Sequence, residues 1–278
     1  MSANSSTLQL RDGRTLGLAE YGDPAGNVLF YFHGYPGARV EARLLAEPAQ
    51  RLGIRLIGID RPGMGLSTFQ ARRRFLDWPS DVAGLADKLG IDRFSVVGCS
   101  GGGPYALACA CKIPDRLVAC GIVAGAGIAG PFLSLISRGL PWLLSPLIRP
   151  FFQDEEHAAR SGRRFNGWWP EPDKKVRPRV GNILAASLVE AFRQGSKGLA
   201  YEGTLLGGHW DFKPEDVHCP NLYWWHGERD RHVPIAMGRA VADRLSGCKA
   251  IYYPDEGHIS LIVNRGEDIV RTLTKRSY

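Results

Sequence analysis

The chain has no C-x-x-C pair, no dense basic block, no uninterrupted apolar span, no internal repeat and no low-complexity linker. Its six cysteines, Cys99, Cys109, Cys111, Cys120, Cys219 and Cys248, mostly lie inside apolar runs. A thiol there behaves as a small hydrophobe, so they read as reduced core residues. The net charge of +7 is spread over many segments, with Arg72-Arg73-Arg74, Arg163-Arg164 and Lys174-Lys175-Val176-Arg177 the richest clusters. Such scatter describes a solvated basic surface and excludes a nucleic-acid site from the expected partners. From Leu117 to Ser137 no residue is charged, yet Gly121, Gly125, Gly127, Gly130 and Pro131 break the stretch into a strand, a turn and a short helix. No stable membrane span is therefore expected. Met1 to Thr7 is polar and lacks the apolar core of a secretory signal, which makes the cytoplasm the expected compartment.

What remains is a chain of 278 residues with 44% hydrophobic and 23% charged content, enough for one large α/β domain with a smaller insertion. Thr7 to Leu10 and Thr15 to Ala19 form a hairpin about Asp12-Gly13. Val28 to Phe32, Ile54 to Ile59, Phe94 to Val97, Leu117 to Val123, Leu222 to Trp225 and Ala250 to Tyr253 are apolar strands. Helical stretches alternate with them at Val40 to Leu52, Trp78 to Leu89, Gly102 to Lys112, Ile235 to Leu245 and Ile259 to Leu273. Asp77 marks the start of the second of these and Gly90 its end. Apolar strands separated by helices predict a mostly parallel sheet covered on both faces, with the hairpin as an antiparallel edge.

Between Ile128 and Leu205 this rhythm fails. The segment is rich in tryptophan, phenylalanine, arginine and proline, with helical pieces at Phe132 to Leu140, Glu155 to Arg164 and Val180 to Phe192. The division expected is a core of residues 1–127 and 206–278 with a helical cap of residues 128–205.

Gly98-Cys99-Ser100-Gly101-Gly102 fits G-x-S-x-G between a β-branched run and an alanine-rich helix, the context of a nucleophile elbow. A serine on such a turn takes strained backbone angles, and side-chain-free neighbours let strand and helix pass closely. A serine hydroxyl needs a base, and the base needs an acid to orient it; in this architecture the chain order is serine, acid, histidine. Asp230 follows the strand Leu222 to Trp225 at its carboxyl end, where ligands of open α/β sheets bind. Glu228 competes, but Asp230 lies nearer the helix start at Pro234. His258 follows the strand ending at Tyr253 and precedes the last helix, whereas His157, His209, His218 and His232 lie in the insertion or beside turns. For an oxyanion, the backbone N–H groups of Gly101 and Tyr35 are the expected donors, with Gly34 allowing close approach and His33 bracing the loop.

His33-Gly34-Tyr35-Pro36-Gly37, Asp60-Arg61-Pro62-Gly63-Met64-Gly65-Leu66-Ser67, the Ser100 turn, His226-Gly227-Glu228-Arg229-Asp230 and Gly257-His258 occur in that order. Together they resemble the capped α/β-hydrolase superfamily, in the serine-esterase branch related to epoxide hydrolases and haloalkane dehalogenases. The resemblance implies an α/β-hydrolase fold with a mostly parallel eight-stranded sheet and an inserted helical cap. It also implies acyl transfer, because a dehalogenase or epoxide hydrolase would carry aspartate at position 100. The Asp60 to Ser67 loop is similar to a structural loop of that family and stays outside the catalytic set.

The expected function is a serine hydrolase that cleaves a small to medium hydrophobic ester through an acyl-enzyme on Ser100, with no cofactor and no metal. The partner expected is a small-molecule substrate, with a homodimer left open. Trp142, Phe165, Trp168 and Tyr201 are the expected substrate contacts within an insertion that also carries Phe151, Phe152 and Trp169. The same three side chains would also serve carbon–carbon bond hydrolysis, lyase chemistry, acyl transfer or cofactor-free peroxidation, and a ligand-sensing receptor is a further alternative. A dinucleotide site at Gly125 to Gly130 is disfavoured by Pro131, Pro141 and Pro146 and by the lack of a strand to close the unit within about 30 residues.

Overall fold

The computed structural model of the chain describes residues 4–128, 139–164 and 169–275. Eight strands form its sheet: β1 (Asn4–Gln9), β2 (Thr15–Gly22), β3 (Asn27–Phe32), β4 (Ile54–Ile59), β5 (Phe94–Cys99), β6 (Leu117–Val123), β7 (Leu222–Gly227) and β8 (Lys249–Tyr253). Their order is β1-β2-β4-β3-β5-β6-β7-β8. Strands β3 to β8 run parallel, while β1 pairs with β2 and β2 with β4 in antiparallel fashion. The Asp12-Gly13 hairpin thus supplies the antiparallel edge, and the apolar runs form the parallel centre. The architecture is that of the α/β-hydrolase fold.

The helices outside the long β6–β7 connection are α1 (Ala46–Arg51), α2 (Trp78–Lys88) and α3 (Gly103–Lys112) before it. That connection holds α4 (Leu140–Ile148), α5 (Glu155–Arg164), α6 (Glu171–Ala191) and α7 (Lys197–Leu206), and after it come α8 (Ile235–Ala242) and α9 (His258–Thr274). Successive strand residues point to opposite faces, so each parallel strand feeds two cores. Phe30, Phe32, Ile57, Ile59, Val96 and Trp224 pack on one face with residues of α2, α3 and α8. Leu29, Tyr31, Leu56, Val97 and Trp225 pack on the other with residues of α1 and α9. Each large apolar side chain so buried contributes about 1.5–3 kcal/mol of transfer free energy.

Among the described residues, the β6–β7 connection contains helices and no strand. α5 has the expected bounds. α6 begins earlier than its apolar period suggests, because Pro178 sits inside it and masks the first half. α7 carries two glycines that lower its helix propensity and hide it in the sequence. The expected Phe132 to Leu140 helix falls largely outside the described residues.

Buried polar contacts tie these helices to the sheet. Glu190 of α6 and Asp60 both pair with Arg39, at 2.5 and 2.9 Å. Glu202 of α7 is fully buried beside two core arginines: Arg73 Nη2 donates to it at 2.5 Å and Arg61 Nε lies 2.7 Å away, within ion-pair range but off the hydrogen-bond angle. Burial alone would raise the Glu202 carboxyl, and the Arg61 and Arg73 guanidiniums outweigh it and hold the group below its ordinary value. No helix among the described residues is long and apolar enough to cross a membrane.

Candidate active site

Ser100 ends β5 in a 3₁₀ turn, Ser100–Gly102, that leads into α3. Its φ of 51° lies in the left-handed region, a conformation that costs an L-residue roughly 1–2 kcal/mol. The turn closes only because its neighbours lack side chains. A Cβ on Gly98 would strike the Gly102 carbonyl, and one on Gly102 would strike the carbonyl of Phe32, backbone in both cases. The Ser100 carbonyl accepts the Ala126 N–H at 2.9 Å, which pins the turn from the far side. Among the described residues, Ser100 Oγ forms no hydrogen bond in this structure.

The loop after β3 meets this turn. A Cβ built on Gly101 would lie 2.9 Å from Tyr35 Cβ and 3.3 Å from Tyr35 N, so the two backbone segments converge beside Ser100. His33 braces the loop as expected: its Nδ1 meets the Gly34 carbonyl at 2.8 Å and its Nε2 accepts the Arg61 N–H at 3.2 Å. Burial, reinforced by Arg61, pushes His33 well below its ordinary value. Glu41 completes the brace, with Oε1 accepting the Gly34 N–H at 2.7 Å and the Tyr31 hydroxyl at 2.9 Å. Burial raises the Glu41 carboxyl, against the lowering effect of those two donors.

Across the cleft, His258 Nδ1 lies 2.7 Å from Asp230 Oδ2, and both residues are buried. The other oxygen of Asp230 accepts the N–H groups of His232 and Val233, at 2.8 and 2.9 Å. His226 Nε2 lies 3.4 Å from Asp230 and reaches the Val233 carbonyl at 2.8 Å, while the Trp224 indole N–H donates to its Nδ1 at 3.3 Å. Burial would raise Asp230; the His258 charge, the His226 and His258 hydrogen bonds and the Val233 N–H overturn that and hold it far below the usual carboxylate range. Burial would lower His258, and Asp230, then Asp173 and Glu41, more than reverse it. The competing Glu228 instead pairs with Arg239 on the surface, at 3.3 Å. With Nδ1 engaged by a carboxylate, the imidazole has the arrangement of a general base whose remaining nitrogen serves a hydroxyl.

Ser100 and His258 line one cavity of about 1050 Å³, together with Tyr35 and Gly101. Its apolar wall includes Leu44, Ala158, Ala185, Leu188 and Leu206. Trp169 also lines it, edge-on to His232 at 5.8 Å and beneath Arg177 at 5.2 Å.

The expected substrate contacts fare differently. Trp142 is 40% exposed on α4 and does not line the cavity. Tyr201 does not line it either: its hydroxyl donates to the Arg73 carbonyl at 3.1 Å and its ring packs edge-on against Phe69. Phe152 stacks on Phe192 in a satellite core, and Phe151 is exposed. Phe165 and Trp168 lie outside the described residues. Among the described residues no group of three His, Cys, Asp or Glu side chains could hold a metal ion.

Glu41, Asp173 and Arg61 were not singled out in the sequence. Asp173 in particular falls ahead of the helical piece expected at Val180 to Phe192, and only the structure places it in the first turn of α6.

Residues 27–265 match the family model of the alpha/beta hydrolase fold. Among curated proteins, a bifunctional esterase/perhydrolase of Acinetobacter calcoaceticus is 26% identical over 89% of this chain and 91% of its own length. The dihydrolipoyllysine-residue acetyltransferase component of an acetoin cleaving system of Pseudomonas putida is 34% identical over 42% of this chain. The chain spans about a third of the length of the first curated relatives it matches, 31% for that protein. Among solved structures, a hydrolase of Pseudomonas aeruginosa superposes with a TM-score of 0.77 at 19% identity, over 98% of this chain and 99% of that one.

Proposed function

The chain belongs to the alpha/beta hydrolase fold family, and from that premise we propose that it is a serine hydrolase of small to medium, hydrophobic carboxylic esters. The observation that carries the reading is the 2.7 Å pairing of His258 Nδ1 with buried Asp230, on the same cavity wall system as the strained Ser100 turn. His258 Nε2 takes the Ser100 proton, and Ser100 Oγ attacks the ester carbonyl. The Tyr35 and Gly101 N–H groups hold the oxyanion. His258 then gives the proton to the departing alkoxide. A water that His258 deprotonates releases the acid and restores Ser100. The Ser100–His258 hydrogen bond forms with substrate in place, as such links tighten in the reacting complex.

The described helices α5 and α6, with Trp169, act as a cap over the cavity, whose lining they supply from Glu155 to Leu188. The apolar wall favours a hydrophobic acyl or alkoxy group. A second reading uses the same acyl-enzyme: the Acinetobacter relative is named for perhydrolase as well as esterase activity, and hydrogen peroxide in place of water would release a peracid.

A panel of p-nitrophenyl and aryl esters of graded chain length, run with a fluorophosphonate label, tests the reading. Wild type should hydrolyse the activated esters and take the label at Ser100, while Ser100→Ala, folded, should do neither. Labelling that persists in Ser100→Ala, or turnover that survives His258→Ala, would sink it.

A further inference from the structure

α9 begins at His258, so the imidazole rides on the first residue of a 17-residue helix. The first N–H groups of a helix lack intrahelical partners, and the aligned peptide dipoles place partial positive charge at that end. Both work against a histidine that must accept a proton. The residue before it, Gly257, offers no side chain to cap the helix; instead Ser260 Oγ accepts the Gly257 N–H at 2.7 Å. The N–H groups of His258, Ile259 and Ser260 all turn to one carboxylate, that of Asp173, at 3.1, 3.0 and 2.8 Å. Asp173 is fully buried and lies in the first turn of α6, 85 residues from His258 in sequence. Two positive helix ends thus meet on a single carboxylate. The space for it depends on Gly257, where a Cβ would lie 2.5 Å from Asp173 Oδ1.

We infer that Asp173 is the positioning residue for the base: from the inserted helical segment it caps the helix that carries His258, holds the backbone beneath the imidazole and offsets the positive helix end at the atom that takes the proton. The inference rests on the roles given to Ser100 and His258 above. It makes α6 part of the catalytic frame as well as a cavity wall. The groups facing the imidazole are Asp230 and His232 from the loop after β7, Glu41 from the 3₁₀ turn after β3, and Asp173 from α6. Burial and the neighbouring His258 both push His232 down, so it adds little opposing charge. Asp173 stands behind Asp230 among the groups that raise His258.

The test uses the full chain and two readouts: NMR titration of the His258 imidazole, and the pH-dependent rate at which a fluorophosphonate labels Ser100. Asp173→Asn keeps an acceptor oxygen under α9 and removes the charge. Its His258 midpoint should fall by about half a pH unit, roughly threefold in the proton equilibrium, and its plateau labelling rate on the order of tenfold. A midpoint and plateau equal to wild type, with only the melting temperature lowered, would make Asp173 a helix cap and nothing more, and would overturn the inference. If wild type takes no label at Ser100 but the imidazole midpoint still moves in Asp173→Asn, the hydrolytic reading falls and the positioning of His258 stands. Should the Asp173 variants not fold, Gly257→Ala carries the same test by displacing the carboxylate: a lowered midpoint supports the inference and an unmoved one overturns it.

Discussion

Arg61 Nη2 donates to the carbonyl of Gly34 at 2.9 Å, and its Nη1 donates to the carbonyl of His33. In a trans peptide the C=O and the following N–H point in opposite directions. A guanidinium that holds the Gly34 carbonyl therefore fixes the Tyr35 N–H, proposed above as an oxyanion donor, on the opposite side of that peptide. Lysine carries the charge but cannot hold two carbonyls with a planar fork. Arg61→Lys should lower kcat for a p-nitrophenyl ester by on the order of tenfold to a hundredfold with little change in KM. Unchanged kcat would break the link between Arg61 and the proposed oxyanion donor Tyr35.

The pairing of His258 with Asp230 sets the pH dependence. Only the neutral imidazole can take the serine proton, and His258 is raised, so kcat/KM should climb with pH through a midpoint above the ordinary histidine value of about 6.5. Asp230→Asn should move that midpoint down and cut the plateau. For stability, the raised His258 contributes below about 6.5 and loses its contribution as pH rises through its folded value. The lowered Asp230 contributes above about 3.9 and loses its share as pH falls further. Urea midpoints of wild type and Asp230→Asn should thus differ most between those two values, converge as pH falls below them, and differ by only the Asp230 share once pH has risen through the folded His258 value.

Gly102→Ala tests the turn independently of chemistry. The new methyl group would meet the Phe32 carbonyl, a backbone atom in a fully buried strand that has no room to yield. A loss of about 3 kcal/mol or more in urea unfolding is expected, at the upper end for overpacking. A substitution at Gly139, where a Cβ would meet nothing within 4 Å, should leave stability within about 0.5 kcal/mol of wild type.

Cavity shape should be read in the ester panel. Ala185 is buried on α6 and lines the cavity, so Ala185→Phe fills cavity space while leaving the Ser100 and His258 side chains unaltered in kind. Preference should shift toward short acyl chains, with kcat/KM for long esters falling about tenfold or more while acetate esters keep theirs. Equal losses across all chain lengths would place the acyl group elsewhere.

The strand–turn–helix at Ser100 was legible because its causes are local: a β-branched run, two glycines at fixed offsets and an alanine-rich continuation. That Asp230 pairs with His258 while Glu228 pairs with Arg239 has a similarly local cause, since the residue nearer the helix start turns back across the sheet edge. Asp173 was not legible, because the helical period is readable only from Val180 on, and nothing local to Pro170-Glu171-Pro172-Asp173 tells of a second helix brought against it. The aromatic richness of the β6–β7 connection announced burial without direction. Tyr201 and Phe152 turned out to face packing partners, and Trp169 the cavity.

The amino-acid sequence by itself determined the strands, the sharp serine turn and the order in which a hydroxyl, a carboxylate and an imidazole arrive, because backbone sterics and hydrophobic period act over a few residues. Only the tertiary structure decided which buried charged groups find which partners: Arg61 with Glu202, Arg39 with Glu190, Asp173 with the first turn of α9. Those contacts join residues from elements far apart in the chain, and a buried polar group takes whichever partner packing brings within reach, since leaving it unpaired costs more than any local preference.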